Sequence, residues 1–458
     1  MRRDPNNLKE ERVACKFCSK ICSKSNVSRC CKKRRLAIDA STTGPHTVPA
    51  ERQVRQRLER ASAKADDGSL HGVRPLHTVD EDIKHHPSRG KVEAHFCTTT
   101  EAKALAGSTI TVPIIAQDQQ TFQWSNSARP IEQLFETWLE NHDHQVPVQK
   151  PSLLESGDSF QYHTLAEVYE KFKVQTSDDD PWNVLDMTNS LPPTTFPSFL
   201  EHSNCHLLSR IQDEVLSGGL AQRKEVRAKE AKYWKDVISW ILLSQGGNNT
   251  GTHTDGHGFG TWISVQEGLV IVYWISDPTD EEWNAWSSDH TCNSGRGRFV
   301  VLKPGQTICF PPGTIHLVCR SLGTQTFAVG GHFLQWSGIM QFLRTLKRQQ
   351  INPDATNDEM TKESISALTM SILKLVKKRI ERGKIDDIGG TGEANAIIAA
   401  IEATCPPRIK RFFGLTLALM NQILTISDTF YIISYSKIGR SSTGLTLESV
   451  ARFEDVYY

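Results

Sequence analysis

The apolar positions divide the chain into segments of different period. Residues 40–120 are rich in Ser, Thr, Pro, Gly and mixed charge without sustained periodicity, which reads as linker with one charged helix near 51–64. Over 130–141 the residues Ile131, Leu134, Phe135, Trp138 and Leu139 recur at the i, i+3, i+4, i+7, i+8 spacing of a helix with one buried stripe. From Trp182 to Phe333 the pattern becomes short apolar or alternating runs broken by Gly and Pro, at 238–243, 261–265, 269–275, 299–302, 307–310, 315–319 and 326–329. Many short strands at close spacing, with no alternating helices after about 237, predict an antiparallel barrel or sandwich. Residues 213–235 read as a charged helical insertion ahead of it. After Gly338 the helical period returns, with Ile365, Leu368, Ile372, Leu375, Val376 and Ile380 on one stripe. Beyond Gly389 the signal is mixed, and 412–435 fits a strand, a buried helix or a tail equally.

These patterns predict a mainly β fold with helical flanks, in five segments. A basic arm at 1–120, expected to be disordered, is followed by a helical and mixed lead-in at 121–237. The β-barrel core spans 238–337 with a lead-in strand near 182–186, a helical C-terminal module covers 338–388, and 389–458 is an unassigned tail.

Charge sharpens this division. The formal net charge of the 458 residues is +1, yet residues 1–35 hold twelve Lys or Arg, among them Lys32, Lys33, Arg34 and Arg35, against three acids. Such an arm suits contact with nucleic acid or a nuclear address, and it suits an ordinary solvated tail as well. Eleven cysteines without a charged-then-apolar secretory start point to a reducing compartment and free thiols. The longest uncharged apolar run, 412–427, includes Asn421 and Gln422 and falls short of the roughly 20 residues that span a bilayer.

The candidate chemistry lies inside the strand-rich segment. Side chains alternate faces along a strand, so His253 and Asp255 point the same way and can grip one metal from one side. His316 follows the turn Phe310, Pro311, Pro312, Gly313, Thr314 and opens a short strand that could return antiparallel to the first pair. Two histidines and one carboxylate on one face make the facial triad of non-haem Fe(II) oxygenases, which leaves positions for cosubstrate and O₂. A His-x-Asp pair alone is common. The glycines around it (Gly246, Gly247, Gly251, Gly256, Gly258, Gly260) and the Pro-Gly turn before His316 set this one apart.

At these residues the chain resembles the JmjC (jumonji) family, and most of all its histone-demethylase-like members. Thr250, His253 and Asp255, then Gly258, Trp262 and Gly268, look like the family's proximal-ligand strand. Residues 302–318, closing with Gly330, Gly331, His332, Phe333 and Leu334, resemble its distal half, and Trp182 to Asp186 its lead-in strand. The resemblance covers roughly 181–340. It implies a double-stranded β-helix, a jelly-roll or cupin-like barrel, holding Fe(II) at His253, Asp255 and His316 with 2-oxoglutarate as cosubstrate and Thr250 as a cosubstrate contact. The implied activity is hydroxylation of a protein, or demethylation of an N-methyl-lysine on a histone tail, in chromatin and in the nucleus.

One position departs from the family. A lysine usually anchors the distal carboxylate of 2-oxoglutarate two residues after the strand's Gly, where this chain has Val270. Lys303 and Arg320 are the nearest basic residues, both read as strand-end side chains facing water. Without a cation a buried carboxylate is costly, so the alternative reading is a catalytically inactive JmjC-fold binding module associated with chromatin. A cupin holding Mn, Co, Ni or Zn is a third, because the same ligands accept those ions. His257 shares the parity of the ligand pair and reads as pocket lining or surface, and His332 stands where an Asn is common.

Two further features carry less. Cys15-x-x-Cys18, followed by Cys22, Cys30 and Cys31, has half of a zinc-site spacing and no His-x₃₋₅-His after it. Trp274 reads as barrel packing, and Trp283 and Trp286 as part of an insertion near the cleft mouth rather than a methyl-lysine cage.

Overall fold

Between 238 and 333 the apolar runs form strands buried on both faces, which is why they read as nearly continuous hydrophobic stretches. The computed structural model describes residues 92–404 except 119–122, 126–127, 139–141, 157–159, 175–179, 218–232, 291–295 and 357–359, together with 12–14, 21–23 and 77–78. Strands are numbered in chain order. A short antiparallel ribbon pairs β1 (Arg12–Ala14) with β2 (Ile21–Ser23). A five-stranded sheet has the order β10 (Asn249–His253), β15 (His316–Arg320), β12 (Val270–Ser276), β13 (Arg296–Leu302), β3 (His77–Thr78). A nine-stranded sheet has the order β4 (His95–Cys97), β5 (Ile114–Ala116), β14 (Thr307–Phe310), β11 (Gly260–Glu267), β16 (Thr326–Phe333), β9 (Trp240–Ser244), β8 (Asn183–Thr188), β6 (Gln145–Gln149), β7 (Gln161–Thr164). All pairs are antiparallel except β4 with β5.

The two sheets face each other across one apolar layer. Ile263, Val265, Ile308, Phe310 and Ala328 from the larger sheet meet Val270, Val272, Trp274, Val300, Leu302 and Val318 from the smaller. Alternate residues turn outward. On the large sheet Trp262, Cys309, Phe327 and Val329 pack under the helices α1 (Thr99–Ala106), α2 (Pro130–Glu136) and α4 (Leu165–Lys173); α3 (Pro151–Ser156) precedes α4. On the small sheet Ile271, Tyr273, Ile275, Leu317 and Cys319 pack against Trp283 and Trp286 of α6 (Asp280–Ser288). The fold is therefore mainly β with helical parts.

Several expected elements recur with changed bounds. The stripe at 130–141 becomes α2, with Ile131, Leu134, Phe135 and Trp138 buried. The lead-in strand at 182–186 is β8. The folded part begins earlier than 120: β4, α1 and β5 bury Ala102, Ala106, Ile114, Ile115 and Ala116, and Thr98 caps α1 reciprocally with Glu101. Short segments such as 95–97 and 114–116 carry too few residues for a period to show; pairing of β5 with the distant β14, and of β4 with β5, makes them strands. A helix, α6, does interrupt the strand run, and its Trp283 and Trp286 pack in the core. The expected insertion at 213–235 overlaps α5 (Leu207–Ser217), and 218–232 lie outside the described residues.

The chain divides into two compact units at Ser371/Ile372. The first contains both sheets, α7 (Ile339–Ile351) and the start of α8 (Lys362–Glu381); the second contains the rest of α8 and α9 (Gly390–Thr404). Apart from the backbone of 12–14, 21–23 and 77–78, residues 1–91 of the basic arm lie outside the described residues, as do the side chains of the N-terminal cysteines and 412–435. Among the described residues Cys97, Cys205, Cys309 and Cys319 are free thiols, and no helix is long and apolar enough to cross a membrane.

Candidate metal centre

β10 ends at His253 and β15 begins at His316, and the two are direct partners across the antiparallel pair. The turn before His316 places it there, with Gly313 in the left-handed region at φ 78°. His253 Nε2 lies 3.7 Å from Asp255 Oδ1, and His316 Nε2 lies 3.7 Å from Asp255 Oδ2. The three potential ligand atoms fall within 4.8 Å of one another. A single ion at ligand distances of about 2.0–2.2 Å can reach all three.

The surrounding hydrogen bonds prepare those atoms. His253 Nδ1 meets the carbonyl of Gly251 at 2.7 Å, and His316 Nδ1 meets that of Thr314 at 3.0 Å. A carbonyl only accepts, so each Nδ1 carries the proton and each Nε2 presents a lone pair to the site. Burial pushes the His316 imidazole down to about 4, against the opposing pull of Asp255. Burial would raise the Asp255 carboxyl, but His316 and His253 outweigh it and hold the group well below the ordinary carboxylate range. At neutral pH His316 is thus neutral and Asp255 is an anion, the protonation state that binds a cation.

A second layer fixes the carboxylate and its loop. The Thr261 hydroxyl donates to Asp255 Oδ2 at 2.5 Å and meets His332 Nδ1 at 2.9 Å. His332 is buried against Trp240 and Phe259, which makes it part of the site's wall, and burial lowers its pKa to about 4. Gln349 of α7 donates to Thr254 Oγ1 at 3.0 Å and to the Asp255 carbonyl at 2.6 Å, and accepts from the Gly258 amide at 2.8 Å. His257, at φ 57°, turns its ring away from the triad: Nδ1 meets Tyr233 Oη at 3.0 Å and Nε2 meets Ser364 Oγ at 2.9 Å. It is buried, and neither nitrogen is available as a ligand.

The basic residues beside Val270 separate clearly. Lys303 is exposed. Arg320 is 3% exposed, which corrects the expectation that it faces water. It shares strand parity with His316 and Val318, so it points between the sheets, and it stands directly opposite Val270. One of its nitrogens donates to Thr250 Oγ1 at 2.9 Å and to the Val318 carbonyl at 3.2 Å. Burial lowers its pKa to about 10, so it remains a cation at neutral pH.

A cavity of about 610 Å³ is lined by Thr254, between the candidate ligand positions in sequence, by Trp274, the cross-strand partner of His316, and by Thr314, while His253, Asp255 and His316 do not line it. Its lining also includes Glu93, Asp277, Trp283, Arg344 and Arg348, with the Arg348 guanidinium 5.3 Å from the Trp283 ring. The sequence reading brought together His253, Asp255 and His316, as observed here, and missed Thr261, Gln349 and the inward aim of Arg320. Parity with His316 is the signal that marks Arg320; nothing local in sequence marks Gln349, which lies 94 residues from Asp255. No protein-family model matches the chain.

Proposed function

We propose that the protein is an Fe(II)- and 2-oxoglutarate-dependent oxygenase of JmjC type, built on a double-stranded β-helix. The observation that carries this reading is the pair of Nε2 lone pairs set around one buried, anionic carboxylate on paired strands. Such a donor set with open positions suits non-haem iron. Bound Fe(II) would supply the coupling of O₂ reduction to oxidative decarboxylation of the 2-oxo acid and hydroxylation of a substrate C–H bond; on an N-methyl group the product then loses formaldehyde.

The chain's own residues do the rest. His253, Asp255 and His316 would hold the metal, with the Gly251 and Thr314 carbonyls fixing ring orientation. Thr261 holds the carboxylate rotamer, while Phe310, whose ring stacks 4.9 Å from that of His316, keeps water from that side. The cavity beside Thr254 and Thr314 would be the approach for a protein substrate, and its mixed acidic, basic and aromatic lining suits an extended polypeptide such as a histone tail. A nuclear location and nucleic-acid contact through the basic arm belong to the same reading. A second reading, a binding module on the same fold without turnover, is favoured by Val270.

Anaerobic Fe(II) titration followed by 2-oxoglutarate separates the two. The expected result is one Fe(II) per chain, then a saturable visible charge-transfer band, with both lost in His253→Ala and in Asp255→Ala while the far-ultraviolet spectrum is kept. Normal iron uptake by either variant would remove the site assignment. Iron loading without a band would favour the binding module.

A further inference from the structure

Three arginines are buried among the described residues, and two have a carboxylate. Arg296 and Arg298 share Glu93 at 2.8 to 3.0 Å. Arg320 makes no ion pair among the described residues, and its hydrogen bonds go to a hydroxyl and a carbonyl. A guanidinium taken out of water with only neutral partners is costly, and such groups are kept where an anion arrives to pair with them.

The direction of Arg320 says where that anion sits. His316, Val318 and Arg320 follow one another on the inward face of β15, each step about 6–7 Å. The guanidinium folds back along the strand to the level of Val318 and Thr250, as its two hydrogen bonds require. It therefore lies about one such step, roughly 6–7 Å, from the level of His316. That separation matches the length of a molecule whose one end chelates a metal at the triad and whose other end is a carboxylate.

We propose that Arg320, not a residue at position 270, is the cation that receives the distal carboxylate of a 2-oxo dicarboxylic acid, with Thr250 orienting the guanidinium. This rests on the oxygenase reading and deepens it. Val270 follows from the same geometry. Directly opposed residues on paired strands have Cβ atoms about 4.5–5.5 Å apart, so a lysine at 270 beside Arg320 would bury two like charges. The aliphatic side chain is what the neighbouring cation requires. Arginine also offers a planar fork that pairs bidentately with a carboxylate, whereas lysine offers a point charge.

The test compares 2-oxoglutarate with 2-oxopentanoate, the same chain without the distal carboxylate, by calorimetric titration into protein loaded with Mn(II). The wild type is expected to prefer the diacid by about 10- to 100-fold. Arg320→Met should remove that preference while metal uptake is unchanged. Val270→Lys should weaken diacid binding, and the double variant Val270→Lys, Arg320→Val should restore it. A diacid preference that survives intact in folded, metal-loaded Arg320→Met overturns the assignment of Arg320 and leaves the metal centre standing. Failure of the wild type to take up Mn(II) or Fe(II) overturns the oxygenase reading and this inference with it.

Discussion

Thr261 donates its hydroxyl to Asp255 Oδ2 across 2.5 Å from β11, a strand of the sheet that holds neither His253 nor His316. The carboxylate is thereby positioned by one sheet while the two imidazoles are held on the other, so the geometry of the triad depends on how the sheets face each other. Thr261→Val keeps the shape and removes the donor. Metal affinity is expected to fall about 10- to 100-fold, as for loss of other groups that orient a ligand, and Thr261→Ser should recover most of it. Equal affinity in Thr261→Val, read by competition with a chelator, would show that the hydroxyl does not position Asp255.

Gln349 ties α7 to the loop that carries Asp255 through three hydrogen bonds. In Gln349→Leu the buried Gly258 amide loses its acceptor, which costs on the order of 1–3 kcal/mol. The loop should also exchange its amide protons faster at 256–258. Unchanged exchange there would mean that backbone geometry alone holds the loop.

The buried histidines set an acid limit on stability. His257, His316 and His332 have folded-state pKa values near 4, lowered first by burial, against an ordinary 6.5. The unfolded chain therefore binds more protons between these values, and folding stability falls as pH drops from about 6.5 toward 4. Each contributes on the order of 3 kcal/mol that is fully present above pH 6.5. Urea midpoints of the metal-free protein at pH 7 and pH 5 should differ accordingly, and His257→Gln should flatten the dependence. A pH-independent midpoint would contradict the buried, neutral state.

Gly331 on β16 pairs with Trp262 of β11. A Cβ there would stand 1.8 Å from the Ile238 carbonyl oxygen. Backbone cannot yield as a side-chain tip does, so Gly331→Ala should destabilise the protein by about 3 kcal/mol or more. Thermal melts check this. A variant as stable as the wild type would mean that the 238 segment shifts freely.

The sequence by itself determined the strand-rich core and the triad. His253 and Asp255 lie two apart in sequence, and a Pro-Gly turn delivers His316; β10 ends at His253 with Asp255 just beyond it, so the pairing was legible from spacing while the strand end and the Thr261 bond that place the carboxylate were not. The helix stripes at 131–138 and 365–380 were legible for the same reason. Only the tertiary structure decided the rest. Residues 114–116 become a strand through pairing with β14, and 95–97 through parallel pairing with 114–116 in turn, and β14 lies too far along the chain for any local pattern to announce. Arg320 and Lys303 look alike in sequence, as basic residues at strand ends. One is buried opposite Val270 and the other is exposed, because the depth of a strand end is set by which strand lies beside it.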